Sequence, residues 1–281
     1  MGGTVMSTPL STAGTVDAPI VFLHIPKTAG QTIHSELERL VGHAALSPVR
    51  VHTQVSSSAA QMPPGYGLYS GHLDWEKLDD LPTPRFTFTV VRDPLERIAS
   101  FYFYLRREAL KLSRQELNSP QRTGMRLALQ RTADDYFFAG DEPWKTFIND
   151  HYNNVYCTYF ATRKIRGWQH IKHLDAGSLL RLAMAGVQSI DKIYSTEGLS
   201  HLETDIAACT GQRIHITQRF LNAGPDVDTG PRWPKLRASF EQDKNLAKIR
   251  SFVRVDQRLL DALDATGKGQ FELHHKESLP C

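Results

Sequence analysis

The sequence predicts an α/β fold in which a central parallel sheet is flanked by helices. Short apolar segments alternate with amphipathic ones along the chain. The first apolar segment, residues 20–25, also lacks the polar alternation of a strand that has one solvent face. With 281 residues, of which 41% are hydrophobic and 22% charged, the chain can bury one full core. We predict a flexible N-terminal tail at residues 1–18 and a single domain at residues 19–281.

The first predicted element is a strand-loop-helix unit. Its strand, residues 20–25, runs directly into PKTAGQT, residues 26–32. The helix that follows has an apolar stripe at spacings of 4, 7 and 8 residues from Ile33, and Gly42 is a natural stop. A lysine, small residues and hydroxyls at such a turn indicate an anion site, because a helix start offers unpaired N–H groups and the positive end of its dipole.

The loop predicts a phosphate site that differs from the P-loop of nucleoside triphosphatases. The expected contacts are Lys27, the hydroxyls of Thr28 and Thr32, and the amides around Gly30. The pattern G-x-x-x-x-G-K-[ST] is absent, since the six residues before Lys27 are VFLHIP. A magnesium-dependent kinase is therefore disfavoured, and a P-loop-like small-molecule kinase is kept as an alternative. A surface lysine in an ordinary turn is the other alternative.

Two more strands are predicted to end at polar residues. Residues 67–72 form a short strand that ends in a glycine-flanked histidine, His72, and residues 86–91 form a third, apolar strand. The helix after the third strand has clear start signals, with Asp93 as the cap and Pro94 at the first helical position.

Arg92 follows the third strand directly, at the carboxyl end of a strand, where open α/β sheets bind ligands. With Ser100, about two turns into the next helix, it predicts a second anion site, because a guanidinium fork and a hydroxyl fit a phosphate monoester. The alternative is an ion pair between Arg92 and a nearby carboxylate such as Asp93. Two phosphate sites on one sheet predict a ligand with two separated phosphates.

The later part of the chain continues the alternation of strands and helices. It predicts strands at residues 191–195 and 213–217, helices at residues 199–206 and 246–263, and a loop rich in Gly and Pro at residues 222–234. In this loop, Asn222 and Arg232 are candidates to close over a nucleotide.

The composition narrows the classes of function. A balance of 33 basic to 30 acidic residues disfavours a nucleic-acid binder, while the basic residues within 97–131 and 163–173 remain either solvated surface or walls beside an anionic ligand. Three scattered cysteines do not make a zinc site, and His170 and His173 have cationic neighbours, so we expect no metal. Without a signal peptide or a membrane span, we expect a soluble cytoplasmic protein, and the sequence leaves the oligomeric state open.

Three motifs, in order, carry a resemblance to a known family: PKTAGQT, the Gly71-His72 turn and VRDPLERIASFYFYLR. They resemble the sulfotransferases that use 3'-phosphoadenosine 5'-phosphosulfate (PAPS), in particular the branch of heparan sulfate 2-O-sulfotransferase and its bacterial relatives. The similarity is strong over residues 20–107 and weaker over residues 191–206. In that family the strand-loop-helix binds the 5'-phosphosulfate, and the RDP segment with its serine binds the 3'-phosphate. The resemblance thus implies PAPS-binding roles for Lys27, Thr28, Ala29, Gly30, Gln31, Thr32, Arg92 and Ser100.

The resemblance also implies the reaction. Sulfuryl transfer moves SO3 from a phosphate leaving group to an alcohol, here a hydroxyl of a carbohydrate or small metabolite, releases 3'-phosphoadenosine 5'-phosphate (PAP) and requires no metal. Lys27 would stabilise the leaving phosphate, and His72, which matches the catalytic histidine of the branch, would be the general base. The chain departs from the branch at Ser70, which stands where the branch has a second histidine, and at Gln31, where many relatives carry a hydroxyl.

Alternatives to this interpretation stay open at the level of sequence. The next candidates for the base are His24 and a carboxylate such as Asp74. A protein that has kept the fold and binds a nucleotide without turnover is the remaining alternative to an enzyme.

Overall fold

The computed structural model describes residues 18–221, 230–267 and 269–270. Within these residues, five strands form one sheet in the order β2-β1-β3-β4-β5, and every neighbouring pair is parallel. The strands are β1 (Ile20–Leu23), β2 (Leu68–Gly71), β3 (Phe86–Val91), β4 (Lys192–Ser195) and the two-residue β5 (Gly269–Gln270) at the edge. The predicted α/β class with a central parallel sheet is therefore confirmed.

Helices make up most of the remaining described chain. The α-helices are α1 (Gly30–Val41), α2 (Pro94–Leu110), α3 (Arg114–Leu117), α4 (Thr123–Gln130), α5 (Ala133–Phe138), α6 (Glu142–Tyr152), α7 (Val155–Thr162), α8 (Trp168–Ile171), α9 (Ala176–Val187), α10 (Leu199–Thr210), α11 (Ile216–Leu221), α12 (Trp233–Arg237), α13 (Asp243–Ser251) and α14 (Arg254–Ala265). Short 3-10 helices lie at His43–Ala45, His52–Gln54, Ser58–Ala60, Leu78–Asp80 and Pro120–Arg122.

Both faces of the sheet are covered, which explains why β1, with the sequence IVFL, is apolar throughout. Successive side chains of a strand point to opposite faces. From β1, Val21 and Leu23 belong to a core with residues of α7, α9 and α14, whereas Ile20 and Phe22 belong to a core with residues of α1 and α10. A third apolar cluster packs α2 against α5, α6, α12 and α13.

The register of the strands brings the polar residues that follow them to one edge. Leu23, the last residue of β1, lies opposite Gly71 in β2 and Thr89 in β3. His24 and His72 therefore leave the sheet side by side, and Arg92 leaves β3 at the same edge. This is the edge at which parallel sheets bind ligands.

Two predictions for the C-terminal part of the chain are wrong. Residues 213–217 do not form a strand: Ile214 and Ile216 are buried, but the backbone N–H of His215 donates to a carboxylate oxygen of Glu36 in α1, at 3.0 Å, instead of to a neighbouring strand. The alternation of apolar residues there reflects a loop that packs on a helix and then enters α11.

The predicted final helix at residues 246–263 is two helices, α13 and α14. They are separated at residues 252–253, where the carbonyl of Phe252 accepts a hydrogen bond of 2.6 Å from the N–H of Asn154. Of the predicted N-terminal tail, residues 1–17 lie outside the described residues, as do Asn222 and Cys281. No helix in the described ranges is both long enough and apolar enough to cross a membrane.

Candidate active site

The loop between β1 and α1 has an unusual backbone. Lys27 and Ala29 have positive φ angles of 74° and 63°. Residues other than glycine adopt such angles at a cost of about 1–3 kcal/mol each. Between them, Thr28 is fully buried, and its hydroxyl donates a hydrogen bond of 2.8 Å to the carbonyl of Ile25. The loop is thus held in a strained conformation by a buried contact of its own.

The backbone N–H groups of this loop are available to a ligand. Among the described residues, no acceptor bonds to the N–H groups of residues 27–32, and the first amide with a bond is that of Ile33, which donates weakly to Ala29. The hydroxyl of Thr32 likewise has no described partner. Successive free amides at the start of a helix are a typical anion site. By contrast, the Thr28 hydroxyl, which was expected on the phosphate, is used within the loop, so Thr28 can contribute only its N–H as a donor.

The ring of His24 leaves no room for a side chain at position 30, so this position requires glycine. A Cβ atom at this position would lie 1.7 Å from Nε2 of His24, so any larger residue would displace the imidazole ring. The ring of His24 therefore rests directly on the first residue of α1.

Lys27 lies within a cluster of positive charges. Its Nζ is 4.0 Å above the ring centroid of Tyr104, and within the described part of the chain it makes no ion pair. Burial, together with Arg107, Arg232 and Arg92, lowers the pKa of Lys27 to about 8. Four cationic side chains thus lie close together at residues 26–32, the loop predicted to bind phosphate and called the phosphate loop below. A ligand with several negative charges would stabilise this arrangement.

The second predicted anion site is next to the first. The main chain of Arg92 is clamped by the hydroxyl of Tyr156, which accepts from the Arg92 N–H at 3.0 Å and donates to its carbonyl at 2.8 Å. The guanidinium of Arg92 is 3.3 Å from a carboxylate oxygen of Glu96, so the ion pair considered from sequence exists, with Glu96 as the partner in place of Asp93. Asp93 instead caps α2, as predicted. The hydroxyl of Ser100 has no described partner.

Glu96 also fixes a distant segment. Its carboxylate accepts hydrogen bonds of 3.0 Å and 2.8 Å from the backbone N–H groups of Arg232 and Trp233. This anchors Arg232, which was a candidate to close over a nucleotide, near Lys27. The candidate paired with it, Asn222, is outside the described residues.

Sequence reasoning missed Tyr104 and Arg107, although a signal was present. Both lie on α2 at spacings of 4 and 7 residues from Ser100, which puts the three side chains on one face of the helix. The Arg107 guanidinium carbon is 5.7 Å from the ring centroid of Tyr104, and Lys27 lies over the same ring. The face of α2 that carries Ser100 therefore continues along the phosphate loop.

The geometry at His72 suits a proton acceptor. Its Nδ1 lies 2.8 Å from the carbonyl oxygen of His24. Because a carbonyl only accepts hydrogen bonds, Nδ1 carries the proton and Nε2 keeps its lone pair. Burial lowers the pKa of His72, against the opposing effect of that hydrogen bond, and His52 and Arg50 lower it further. The imidazole is therefore neutral at pH 7, as a general base must be.

The other candidates for the base have different surroundings. Asp74 accepts hydrogen bonds from the N–H of Ile165 (2.8 Å) and from the side-chain amide of Gln61 (3.1 Å), so its carboxylate is engaged in joining loops. The ring of His24 stacks on that of His72 with centroids 4.2 Å apart, and burial holds the pKa of His24 well below its usual value.

Ser70, which stands where the related branch has a histidine, is a buried residue of β2. Its hydroxyl is 2.8 Å from Nδ1 of His34 on α1. The imidazole next to Ser70 therefore belongs to His34 of α1, not to a residue of β2. In the part of the chain that the structure describes, no group of three or more His, Cys, Asp or Glu side chains could hold a metal ion.

Comparison with known proteins identifies the family. No curated protein matches the chain. The model of the sulfotransferase family matches residues 15–168, which is more than half of the 281 residues and includes the loop at residues 26–32, His72 and Arg92. The chain belongs to the sulfotransferase family.

Proposed function

We propose that the protein transfers the sulfuryl group of PAPS to a hydroxyl of a carbohydrate or small-metabolite acceptor and releases PAP. Membership of the sulfotransferase family supports sulfuryl transfer in general. The observation that carries the choice of donor is the cluster of Lys27, Arg92, Arg107 and Arg232 beside a strained loop with free amides. Such a cluster fits a nucleotide with phosphates at two positions.

The two anion sites divide the donor between them. The N–H groups of residues 27–32 and the Lys27 ammonium would bind the 5'-phosphosulfate, as helix starts bind phosphates. Arg92 and the hydroxyl of Ser100 would bind the 3'-phosphate, with the Glu96 carboxylate keeping the guanidinium in place. The resemblance to the 2-O-sulfotransferase branch supports a carbohydrate as the acceptor.

In the reaction, the acceptor oxygen forms a bond to sulfur while the bond from sulfur to the bridging phosphate oxygen breaks. Nε2 of His72 takes the proton of the acceptor hydroxyl, because its Nδ1 is already protonated and bonded to His24. Lys27 neutralises the negative charge that develops on the leaving phosphate. Lys27 is protonated at pH 7, since its pKa is about 8.

A binding measurement separates this function from its rivals. Thermal unfolding is followed with PAP and, separately, with ATP plus magnesium. At a PAP concentration about 100 times its dissociation constant, we expect a stabilisation of about 2.7 kcal/mol. A shift with ATP and magnesium but none with PAP would favour a kinase. Stabilisation by PAP without transfer of labelled sulfate to any acceptor would favour a nucleotide-binding protein without turnover.

Replacement of His72 tests the base. We expect His72→Ala to bind PAP nearly as well as the wild type and to lose about 10²- to 10⁴-fold in turnover, the usual range for a positioned general base. The wild-type rate should fall on acidification with a midpoint below pH 6.5, because burial lowers the pKa of His72. His43→Ala is the control, since the His43 side chain is 90% exposed. Near-normal turnover of a stable His72→Ala protein would refute the assignment.

A further inference from the structure

We propose that His24 is a positioning residue that links the general base to the phosphate loop: its carbonyl sets the tautomer of His72, and its ring, lying between His72 and Gly30, sets the place of the base relative to the donor. This inference rests on the proposed sulfuryl transfer for its consequence on rate. Its structural content, the control of His72 by the ring of His24, can be measured without turnover.

The backbone of His24 is fixed by the sheet. Its N–H continues the pairing of β1 with β2 by donating to the carbonyl of Gly71 at 3.1 Å, one residue before His72. Its carbonyl accepts the Nδ1 proton of His72 at 2.8 Å. The two residues therefore hold each other at the ends of adjacent strands, and the free Nε2 of His72 has a defined direction.

The ring of His24 is enclosed on three sides. Its centroid is 4.2 Å from that of His72 at an interplanar angle of 30°, and 5.2 Å from that of Phe22 at 19°. The third side is the backbone of Gly30, where even a methyl group would overlap the ring. One imidazole thus contacts both the base and the first residue of the phosphate-loop helix, so a shift of either would be transmitted to the other.

The ring occupies this place at a cost. Its Nε2 is buried and has no hydrogen-bond partner among the described residues, which is an unfavourable situation for a polar atom. Burial and the nearby cations keep His24 neutral. A neutral ring can stack on His72 in both of its protonation states, whereas a second charged imidazole would oppose proton transfer to His72.

Groups other than His24 also affect the pKa of His72, and a pH experiment has to take them into account. The groups that face His72 are neutral or cationic: His24, His52, His151, Arg50 and Arg97. Burial is the largest cause of the lowered pKa of His72, and the stacked ring of His24 covers one face of that imidazole. Removal of the ring admits water and should move that pKa back toward 6.5.

The experiment compares His24→Ala, which removes the ring, with His24→Phe, which keeps a ring of similar shape without nitrogen atoms. The carbonyl is present in both variants. The titration and tautomer of His72 are followed by NMR of its ring nitrogens, and kcat, KM and the affinity for PAP are measured alongside. His34→Ala is the matched control, since His34 is a buried histidine that bonds to Ser70 but does not stack on His72.

We expect His24→Ala to raise the pKa of His72 and to keep an affinity for PAP close to that of the wild type. We expect kcat to fall by about 10- to 100-fold, because a misplacement of about 1 Å at a reacting group can cost about 10²-fold. In His24→Phe, both the pKa of His72 and kcat should lie close to their wild-type values. A His24→Phe protein that keeps the wild-type melting temperature but is as impaired as His24→Ala would overturn the proposal by assigning the role to a ring nitrogen. An unchanged His72 titration in both variants, or an equal loss of melting temperature and PAP affinity in both, would also overturn it.

The readouts separate this proposal from the proposed function. If the wild-type protein transfers no sulfuryl group, the proposed function fails, but the NMR titrations of the two variants still show whether the His24 ring controls His72. If transfer occurs and the titrations do not differ, only the positioning role is refuted.

Discussion

Raising the pH from 7 to 9 should weaken the binding of PAP through one residue. In the free protein the pKa of Lys27 is about 8, because its side chain is buried and lies near Arg107, Arg232 and Arg92. A bound phosphate would raise that pKa again, since an opposite charge within a few ångströms favours the charged form. The nucleotide therefore binds the protonated lysine, and above pH 8 binding requires uptake of a proton.

The magnitude follows from the titration of Lys27. With a pKa of about 8, about nine-tenths of the free protein carries the charge at pH 7 and about one-tenth at pH 9. The dissociation constant should rise about tenfold over this interval, equivalent to about 1.4 kcal/mol. The phosphates of PAP contribute nothing to this trend, because their second pKa values are near 6 and their charge is constant above pH 7.

Isothermal titration calorimetry with PAP measures both the dissociation constant and the number of protons taken up on binding. At pH 8, titrations in two buffers of different ionisation enthalpy should show uptake of about half a proton per nucleotide bound, because half of Lys27 is then neutral. Lys27→Arg is the control: its guanidinium stays charged throughout, so its affinity should not depend on pH in this range. A flat wild-type affinity between pH 7 and 9, or the same slope in the arginine variant, would refute the reasoning.

Further substitutions test the two anion sites and the core. Arg92→Ala should weaken PAP by about 1.5–3 kcal/mol and adenosine 5'-phosphate much less, as measured by calorimetry, because only PAP has a 3'-phosphate; equal losses would contradict the assignment. Gly30→Ala should lower the melting temperature, since the new Cβ would lie 1.7 Å from the His24 ring, and an unchanged melting temperature would show that the ring moves freely. Burial raises the pKa of Asp256 to about 6, so the folded protein binds this proton more tightly than the unfolded chain. Its contribution to stability should therefore increase by about 2 kcal/mol as the pH falls from 7 through 6 to 4, and urea unfolding of Asp256→Asn should lack this increase.

The fold was predictable because its signals are local. Buried strands covered on both faces are continuous apolar runs, and each functional strand leads into a helix start such as the one at Asp93, so β1 and β3 with their helices could be identified from the sequence. The segment at residues 213–217 failed because alternating isoleucines occur both in strands and in loops that pack on a helix. Only the bond from His215 to Glu36 separates the two cases, and those residues are distant in sequence.

The candidate site was predictable where residues follow strand ends. Lys27 and Arg92 were predicted as site residues because each follows a strand, and the carboxyl ends of parallel strands meet at one edge of the sheet. His72 also follows a strand, but its role as the base was predicted from the resemblance to the 2-O-sulfotransferase branch. The contact between His24 and His72 could not, since it joins residues 48 positions apart and depends on the register of β1 with β2. The hydrogen bond from the Thr28 hydroxyl to the carbonyl of Ile25 could not be predicted either, because it depends on the backbone path of the loop.

The backbone strain and the charge repulsion at the candidate site are themselves an argument for a polyanionic ligand. Two residues with positive φ and a buried lysine beside arginines each destabilise the free protein. A structure keeps such features together only if the rest of the fold compensates for them, and a neutral ligand would relieve none of the charge repulsion. A nucleotide with phosphates at two positions pairs with the amides and the cations at once. Because the loop is strained but held by Thr28, the donor does not have to order it on binding, so more of the interaction energy remains for the developing charge on the leaving phosphate.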